Sequence, residues 1–214
     1  MLREWLAPTP VAEFARTHLG RAPDARPRAA RAAVPLFTWP TLDRILRVEP
    51  APDLLVVNAG RLLDVPPPRD LARLRELMAK GAGVVIRRAE RLDAGLASLA
   101  ESFARDLPGE VHLQLFVTPA GRHGFAWHYD FEEVFIAQTA GVKDYYFREN
   151  TVDPHVPRGA QPDFTAYRRE TSPVATARLH AGDWLYVPSR WWHVARCVED
   201  SLSISVGVLR ATAP

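Results

Sequence analysis

A run of short apolar segments separated by turn-forming residues occupies the second half of the chain. The segments are rich in Val, Ile and aromatic residues, which favour extended strands. Many short strands with turn signals between them are typical of a β-sandwich or β-barrel. We therefore predict an all-β core with strands at Val111–Thr118, Val134–Gln138, Lys143–Phe147, Trp184–Val187 and Leu202–Val208.

The first half of the chain carries helical patterns instead. In two segments, leucines recur at the spacing that places them on one stripe of an amphipathic helix, and glycine or Pro-Gly ends each stripe. The predicted fold class is therefore mostly β with helices (α+β), with the N-terminal helices packed on a barrel. The predicted N-terminal elements are a short helix after Pro10, a helix capped by Thr41 and running to Arg47, helices at Arg69–Lys80 and Leu92–Leu107, and strands at Leu54–Asn58 and Gly83–Ile86.

Two further segments show neither pattern. Residues 21–33 contain four arginines and two prolines and are predicted to be an exposed connector. Residues 1–34 would then form an N-terminal helix and basic connector, ahead of one domain spanning 35–214. Residues 148–175 are predicted to be a long loop insertion, and loops of that length are usually functional or disordered. We predict that this loop borders the metal site and helps to form the substrate entrance; the alternative is a disordered surface insertion.

Composition excludes several classes of protein. The chain has 27 basic and 25 acidic residues and a net charge of +2, so electrostatics give no argument for nucleic acid, which is unlikely without being excluded. The single cysteine, Cys197, rules out an internal disulfide framework and a cysteine-based zinc cage. No apolar run is long enough to span a bilayer, and the N-terminus lacks the apolar stretch of a signal peptide. We therefore expect a cytoplasmic protein that does not contact membranes.

His128 and Asp130 are the first candidate metal ligands. In an extended segment, residues i and i+2 point to the same side, so this imidazole and this carboxylate can bind one ion together. A histidine from another strand would complete the two-histidine, one-carboxylate set that suits non-heme Fe(II). His193, which follows two tryptophans, is the candidate for that third ligand. The structural alternatives are a surface histidine at His128 and a core histidine bonded to a backbone carbonyl at His193.

Lys143 is the second unusual residue, because it begins a predicted apolar strand. A lysine buried among apolar strands is costly unless an anion meets it. The functional interpretation is a partner for a bound dicarboxylate. The alternative is a lysine at the end of a hairpin, with its ammonium group in water beyond the turn at Gly141.

Together these features resemble the JmjC-type members of the cupin superfamily, the Fe(II)- and 2-oxoglutarate-dependent oxygenases. The segment HYDFEEVFIAQTAGVK is similar to the family's metal-binding H-x-D motif, its hairpin and the following strand. The segment GDWLYVPSRWWH is similar to the stretch that ends in the family's third ligand. The likeness spans roughly residues 35–210 and is greatest to ribosomal-protein hydroxylases and the asparaginyl hydroxylase type.

The resemblance implies a fold, a set of cofactors and residue roles. The fold would be a double-stranded β-helix, also called a jelly roll. His128, Asp130 and His193 would bind Fe(II), and Lys143 would bind the distal carboxylate of the cosubstrate 2-oxoglutarate, with O2 as the oxidant. A helper group for that carboxylate is also expected. The candidates on the preceding strand are Gln114 and Thr118.

The implied reaction hydroxylates an unactivated C–H bond of a protein, peptide or small-molecule substrate and releases succinate and CO2. The alternatives are a demethylase of the same chemistry and a non-catalytic metal-binding cupin module, which would not need Lys143. Two departures from the family leave the substrate and the oligomeric state open. Gly207 stands where the asparaginyl hydroxylase type has asparagine, and the chain stops at Pro214, a few residues after the last predicted strand.

Overall fold

A computed structural model of the chain describes residues 1–210 and contains two antiparallel sheets that face each other. The larger sheet has eight strands in the order β1-β9-β6-β11-β5-β4-β2-β3, and the smaller has three in the order β10-β7-β8. The strands are β1 (Asp24–Arg26), β2 (Leu54–Asn58), β3 (Arg61–Leu62), β4 (Gly83–Arg87), β5 (Glu110–Thr118), β6 (Glu133–Ala140), β7 (Lys143–Arg148), β8 (Ala175–Leu179), β9 (Trp184–Val187), β10 (Trp192–Cys197) and β11 (Ser201–Leu209).

The predicted fold class is confirmed, because the strands from β5 to β11 are divided between two facing antiparallel sheets as in a double-stranded β-helix. The five core strands predicted from the sequence all occur. The sequence analysis missed β1, β3 and β8, which are short and present exposed residues. Their residues give little of the inward apolar signal on which strand prediction depends.

The α-helices of the described residues lie in the first half of the chain, and all but the first, Leu2–Leu6, were predicted. They are α1 (Leu2–Leu6), α2 (Val11–Thr17), α3 (Trp39–Leu46), α4 (Leu71–Ala79) and α5 (Ala94–Asp106), with 3-10 helices at Arg31–Leu36, Ala89–Arg91 and Phe164–Arg169. None of the helices in the described part has the length and apolarity that crossing a bilayer requires.

The prediction that Thr41 caps the third helix is wrong. The helix begins at Trp39, and the side chain of Thr38 is its N-cap, accepting a hydrogen bond from the backbone N–H of Thr41 at 3.3 Å. Pro40 sits in the first turn, where a missing N–H costs nothing. Carboxylate caps likewise start α4 and α5 about two residues later than predicted, at Asp70 and Asp93.

The N-terminal segment packs on the outer face of the larger sheet. Residues 21–33 are only partly the exposed connector that was predicted: six of the thirteen are exposed, Ala30 and Ala33 are buried, and the segment supplies the edge strand β1, which pairs with β9. Helices α1, α2 and α5 cover the same face through a cluster of aromatic rings with little or no exposure: Trp5, Phe14, Phe103, Phe135 and Trp184. Because strand residues alternate between faces, neighbours of these residues point into the space between the sheets.

The hairpin between β6 and β7 depends on Gly141. Its φ is +68°, and an added Cβ would lie 2.2 Å from the carbonyl oxygen of Asp200. Only glycine tolerates both the left-handed backbone and this approach. The tight turn carries the chain from β6 in the larger sheet directly to Lys143, which begins β7 in the smaller sheet.

Residues 149–174, between β7 and β8, form an ordered loop that is held by Glu170. The buried carboxylate accepts hydrogen bonds from the backbone and hydroxyl of Thr151, both at 2.7 Å, and from the backbone of Ser172 at 3.0 Å. These bonds lower the pKa of Glu170 to about 2, although burial opposes the shift. The loop also buries Val156 against the rings of Tyr129 and Trp192.

Candidate metal centre and adjoining cavity

His128, Asp130 and His193 converge at one end of the space between the sheets. One ligand atom from each residue lies within 4.8 Å of the other two. His193 belongs to β10, and His128 pairs with it through two backbone hydrogen bonds of 3.2 and 2.8 Å. This antiparallel bridge places two residues that are distant in the sequence side by side, with ring centroids 4.3 Å apart.

Backbone carbonyl groups orient both imidazoles. Nδ1 of His128 lies 2.8 Å from the carbonyl oxygen of Ala126, and Nδ1 of His193 lies 3.0 Å from that of Trp191. With the proton on Nδ1 donated to these carbonyls, Nε2 of each ring is left to coordinate a metal. Nε2 of His193 is already 3.4 Å from the Asp130 carboxylate.

The electrostatics keep His128 and Asp130 in coordinating form. Burial, followed by the charge of His193, lowers the pKa of His128 to about 4. Burial opposes the charge on Asp130, but the hydrogen bond with His193 and the two imidazoles outweigh it and lower the pKa of Asp130 to about 2. Burial also opposes a positive charge on His193. The hydrogen bond to Asp130 outweighs burial and raises the pKa of His193. Near neutral pH the site therefore offers a carboxylate and a neutral imidazole.

The residues present fit a non-heme Fe(II) ion. The donor set is two imidazole nitrogens and one carboxylate, the combination found where iron keeps open positions for other ligands. Asp130 remains 40% exposed, so the cluster is not closed off from the cavity. His123 and His155 do not join this cluster in the described part of the chain.

Lys143 lies in a cavity that ends at the three ligands. The cavity extends between the sheets from His128, Asp130 and His193 to Lys143. Lys143 is only 4% exposed, and its Nζ donates a hydrogen bond of 3.2 Å to Oγ of Ser203. Within residues 1–210 no carboxylate lies within 4.0 Å of this ammonium group.

The two proposed helper residues occupy different places. Thr118 lines the Lys143 cavity and is buried. Gln114 does not line that cavity; it lies in an adjoining cleft on the other side of the ligands. The sequence analysis missed Ser203 and Tyr145, which lie beside Lys143. The alternation of inward and outward side chains along the final strand is the one signal that could have placed Ser203 inside the barrel. It does not reveal that Ser203 contacts Lys143.

The adjoining cleft opens from the metal ligands toward the surface. It shares His128 and Asp130 with the first cavity. The 149–174 loop lies along it, as predicted: the ring of Phe164 is 6.3 Å from that of His128, and Tyr167 stacks on Trp127 at 4.1 Å. The ligands thus stand between the Lys143 cavity and the adjoining cleft.

A model of the JmjC domain family matches residues 89–213, which is more than half of the chain. The chain belongs to the JmjC domain family. Among curated JmjC proteins, the bifunctional lysine-specific demethylase and histidyl-hydroxylase NO66 of Dictyostelium discoideum is 28% identical over 130 residues, covering 60% of this chain and 25% of that protein. Ribosomal oxygenase 1 of Gallus gallus is 33% identical over 97 residues, covering 44% of this chain and 16% of that protein.

Solved structures place the JmjC fold over nearly the whole chain. The structure of YcfD from Escherichia coli superposes with a TM-score of 0.71 at 20% identity, covering 96% of this chain and 54% of that one. The complex of that ribosomal oxygenase with cobalt and 2-oxoglutarate gives a TM-score of 0.68 at 20% identity, covering 96% of this chain and 53% of that one. The chain therefore spans about half the length of these solved chains and a quarter or less of the two curated relatives.

Proposed function

We propose that this protein is an Fe(II)- and 2-oxoglutarate-dependent oxygenase that hydroxylates an unactivated C–H bond of a protein or peptide. When bound, iron and 2-oxoglutarate would supply the chemistry that converts R–H, O2 and 2-oxoglutarate into R–OH, succinate and CO2. Membership of the JmjC family supports the proposal, as do the names of relatives that describe histidyl hydroxylation and ribosomal oxygenation. One solved neighbour holds cobalt and 2-oxoglutarate.

His128, Asp130 and His193 would hold the iron from one side. Their backbone contacts keep the two Nε2 atoms aimed at a common point, so little reorganisation accompanies binding. The other side of the ion would face the Lys143 cavity and the adjoining cleft, which are the places for the cosubstrate and the substrate.

The observation that carries the proposal is the buried ammonium group of Lys143. It lies in the same cavity as the ligand set, and the groups beside it, the hydroxyl of Ser203 and the ring of Tyr145, are neutral. A buried charge without a counter-charge is expensive, whereas a bound carboxylate would neutralise it. Lys143 would therefore bind the distal carboxylate of 2-oxoglutarate.

Ser203 and Thr118 would assist Lys143. Ser203 accepts a hydrogen bond from the ammonium group, which fixes the direction of Nζ, and its own hydroxyl proton stays available to an anion. Thr118 lines the same cavity with a second hydroxyl. Gln114 would contact the substrate instead, because it lies in the adjoining cleft.

Lys143 also separates this proposal from the other candidates. A non-catalytic metal-binding module has no use for a buried cation beside the metal. A demethylase would use the same residues, since removal of an N-methyl group begins with hydroxylation of its carbon, so the choice of substrate decides between the two outcomes. A cytoplasmic location is part of the proposal and is supported by the free, buried thiol of Cys197. The domain boundaries 1–34 and 35–214 stay predictions.

The test is calorimetric titration of 2-oxoglutarate into the Fe(II)-loaded protein under nitrogen. Lys143→Ala should weaken cosubstrate binding by about 10- to 100-fold, the range of a charge-assisted hydrogen bond, and leave iron affinity unchanged. Lys143→Arg should keep part of the affinity. Lys80→Ala is the matched control, because Lys80 is the other lysine of the chain and is exposed.

The same proteins are then assayed in air for conversion of 2-oxoglutarate to succinate without added substrate. At low 2-oxoglutarate concentration, the unmodified protein should form succinate slowly. Lys143→Ala should form none at that concentration. Normal cosubstrate binding by Lys143→Ala, or no succinate from the unmodified protein, would contradict the proposal.

A further inference from the structure

The turn between β9 and β10 bonds to the segment that carries the ligand Asp130. The backbone N–H of Arg190 donates a hydrogen bond of 2.7 Å to the carbonyl oxygen of Asp130. Beside it, Oγ of Ser189 donates a bond of 2.9 Å to the carbonyl oxygen of Phe131. The turn leads directly into β10, which carries the ligand His193. It therefore joins the two parts of the chain that supply the ligand set.

Arg190 holds a backbone conformation that disfavours a side chain. Its φ is +65°, in the left-handed region where glycine is the preferred residue. Another residue persists in that region when the contacts around it fix it there, and such residues cluster at functional sites. An arginine at this position costs free energy that a glycine would not, and its side chain makes contacts that a glycine could not.

The guanidinium group of Arg190 bridges the ligand segment and the 149–174 loop. Nη2 donates a hydrogen bond of 3.2 Å to the carbonyl oxygen of Val156 in the loop. Cζ lies 5.3 Å from the ring centre of Phe131, a distance at which the face of an aromatic ring attracts a cation. Among residues 1–210, no carboxylate lies within 4.0 Å of this group. Its contacts therefore go to the loop and the ligand segment rather than to an acid.

The part of the loop that Arg190 holds is packed behind the ligands. Val156 is 6% exposed and lies in one apolar cluster with Tyr129 and Trp192. Tyr129 stands between the first two ligands in the sequence, and Trp192 immediately precedes the third. Glu170, by contrast, bonds to residues near the two ends of the loop. Movement of the loop at Val156 therefore disturbs the packing of both ligand segments.

We propose that Arg190 is a positioning residue that couples the packed position of the 149–174 loop to metal binding. This inference rests on the proposed function, because the metal is that of the oxygenase. Coordination fixes Asp130 and, with it, the neighbouring carbonyl oxygen and ring that Arg190 contacts. Arg190 then holds Val156 and keeps the loop packed. Coupling is reciprocal, so the packed loop strengthens metal binding by the same factor.

The coupling makes the wall of the adjoining cleft depend on the metal. The loop forms part of that wall through Phe164, whose ring is 6.3 Å from that of His128. With metal bound, the loop stays packed and the cleft has its full lining. In the metal-free protein the loop opens more often, so an empty site offers the substrate an incomplete cleft.

The test is hydrogen–deuterium exchange, followed by mass spectrometry, of the full chain with and without saturating Mn(II) under nitrogen. Backbone amide exchange reports local opening. In the unmodified protein, Mn(II) should slow exchange within the 149–174 loop by at least about 5-fold, the lower end of typical coupling between sites. Helix α4, which packs against α3 and β4, is the internal reference, since a change in global stability alone would slow exchange there as well.

Arg190→Gly removes the guanidinium group, keeps the N–H that bonds to Asp130 and adopts the left-handed φ without cost. In this variant the effect of Mn(II) on loop exchange should fall below about 2-fold, and Mn(II) affinity should fall by the factor that the coupling contributed. Arg190→Lys keeps a cation and should retain part of the effect. Arg88→Gly is the matched control and should keep all of it, because Arg88 is an exposed arginine with a φ of +55° outside the ligand cluster.

A residue with a merely structural role would raise loop exchange equally with and without metal and leave the ratio of the two rates unchanged. Glu170→Gln should behave in that way, because Glu170 holds the ends of the loop independently of the ligands. An undiminished ratio in Arg190→Gly, an equal loss of the ratio in Arg88→Gly, or a ratio near one in the unmodified protein would overturn the inference.

Substrate-free formation of succinate by the Fe(II)-loaded protein separates this inference from the proposed function. If the unmodified protein forms succinate but Mn(II) does not slow loop exchange, the role of Arg190 is refuted and the oxygenase proposal stands. If it forms no succinate, the oxygenase proposal itself is refuted, while the ratio of exchange rates still decides the role of Arg190.

Discussion

At the scale of single residues, three side chains from two segments define one metal position. Each ligand contributes a bond for which the described chain offers no replacement, since no other histidine joins the cluster. His193→Ala should therefore weaken Fe(II) or Mn(II) binding by more than about 100-fold, beyond the 10- to 100-fold typical of groups that only orient a ligand. Metal affinity is measured by titration under nitrogen.

His155→Ala is the control for this substitution, because His155 lies exposed in the 149–174 loop, away from the cluster. Its metal affinity should equal that of the unmodified protein. Comparable loss in both variants would mean that the loop histidine participates in binding and that the ligand assignment is incomplete.

At the scale of elements, the 149–174 loop depends on one carboxylate. Glu170 has a pKa of about 2 in the folded loop, against 4.5 for an unperturbed glutamate. A depressed pKa means that the stabilisation is complete above about pH 4.5 and is lost as the pH falls toward 2. The loop should therefore stay ordered at pH 5 and open under more acidic conditions. The fluorescence of Trp127, which stacks on Tyr167 of this loop, reports the opening.

Glu170→Gln has an amide that accepts fewer hydrogen bonds and does not titrate. In this variant the loop should already be loosened at pH 7, and the fluorescence change between pH 5 and 2 should be smaller than in the unmodified protein. A pH response of full size in Glu170→Gln would assign the transition to another group, such as Asp163, whose pKa is also lowered by its bonds to Thr165.

At the scale of the whole molecule, one sheet serves two purposes. The outer face of β6 packs Phe135 into the aromatic cluster under the helices, and the inner face of the same strand lines the cavity with Val134 and Ile136. Phe135→Ala should lower the free energy of unfolding by about 3–5 kcal/mol, because it leaves a cavity in a fully buried cluster. Denaturant unfolding measures the change.

Val198→Ala, at a side chain that is 46% exposed, should change the free energy of unfolding by less than about 0.5 kcal/mol. At a temperature where Phe135→Ala is folded, its metal affinity should match that of the unmodified chain. A metal affinity that falls with stability would show that the two faces of the sheet are energetically coupled.

The sequence by itself determined the parts of the site that depend on short spacing. The i, i+2 alternation of a strand puts His128 and Asp130 on one side, and the motif around His193 marks it as their partner. The same alternation, together with the turn at Gly141, marks Lys143 as a cation at the start of a strand. Capping and stripe patterns located α3, α4 and α5 to within about two residues, whereas α1 was not predicted.

Only the tertiary structure decided the contacts that join distant strands. Lys143 meets Ser203 across 60 residues, and the 149–174 loop brings Phe164 to the ring of His128. Glu132 lies over Gly207 because β6 and β11 are paired in one particular register. The pairing of strands that are remote in the chain is set by the packing of the whole core, which the local pattern of residues does not encode.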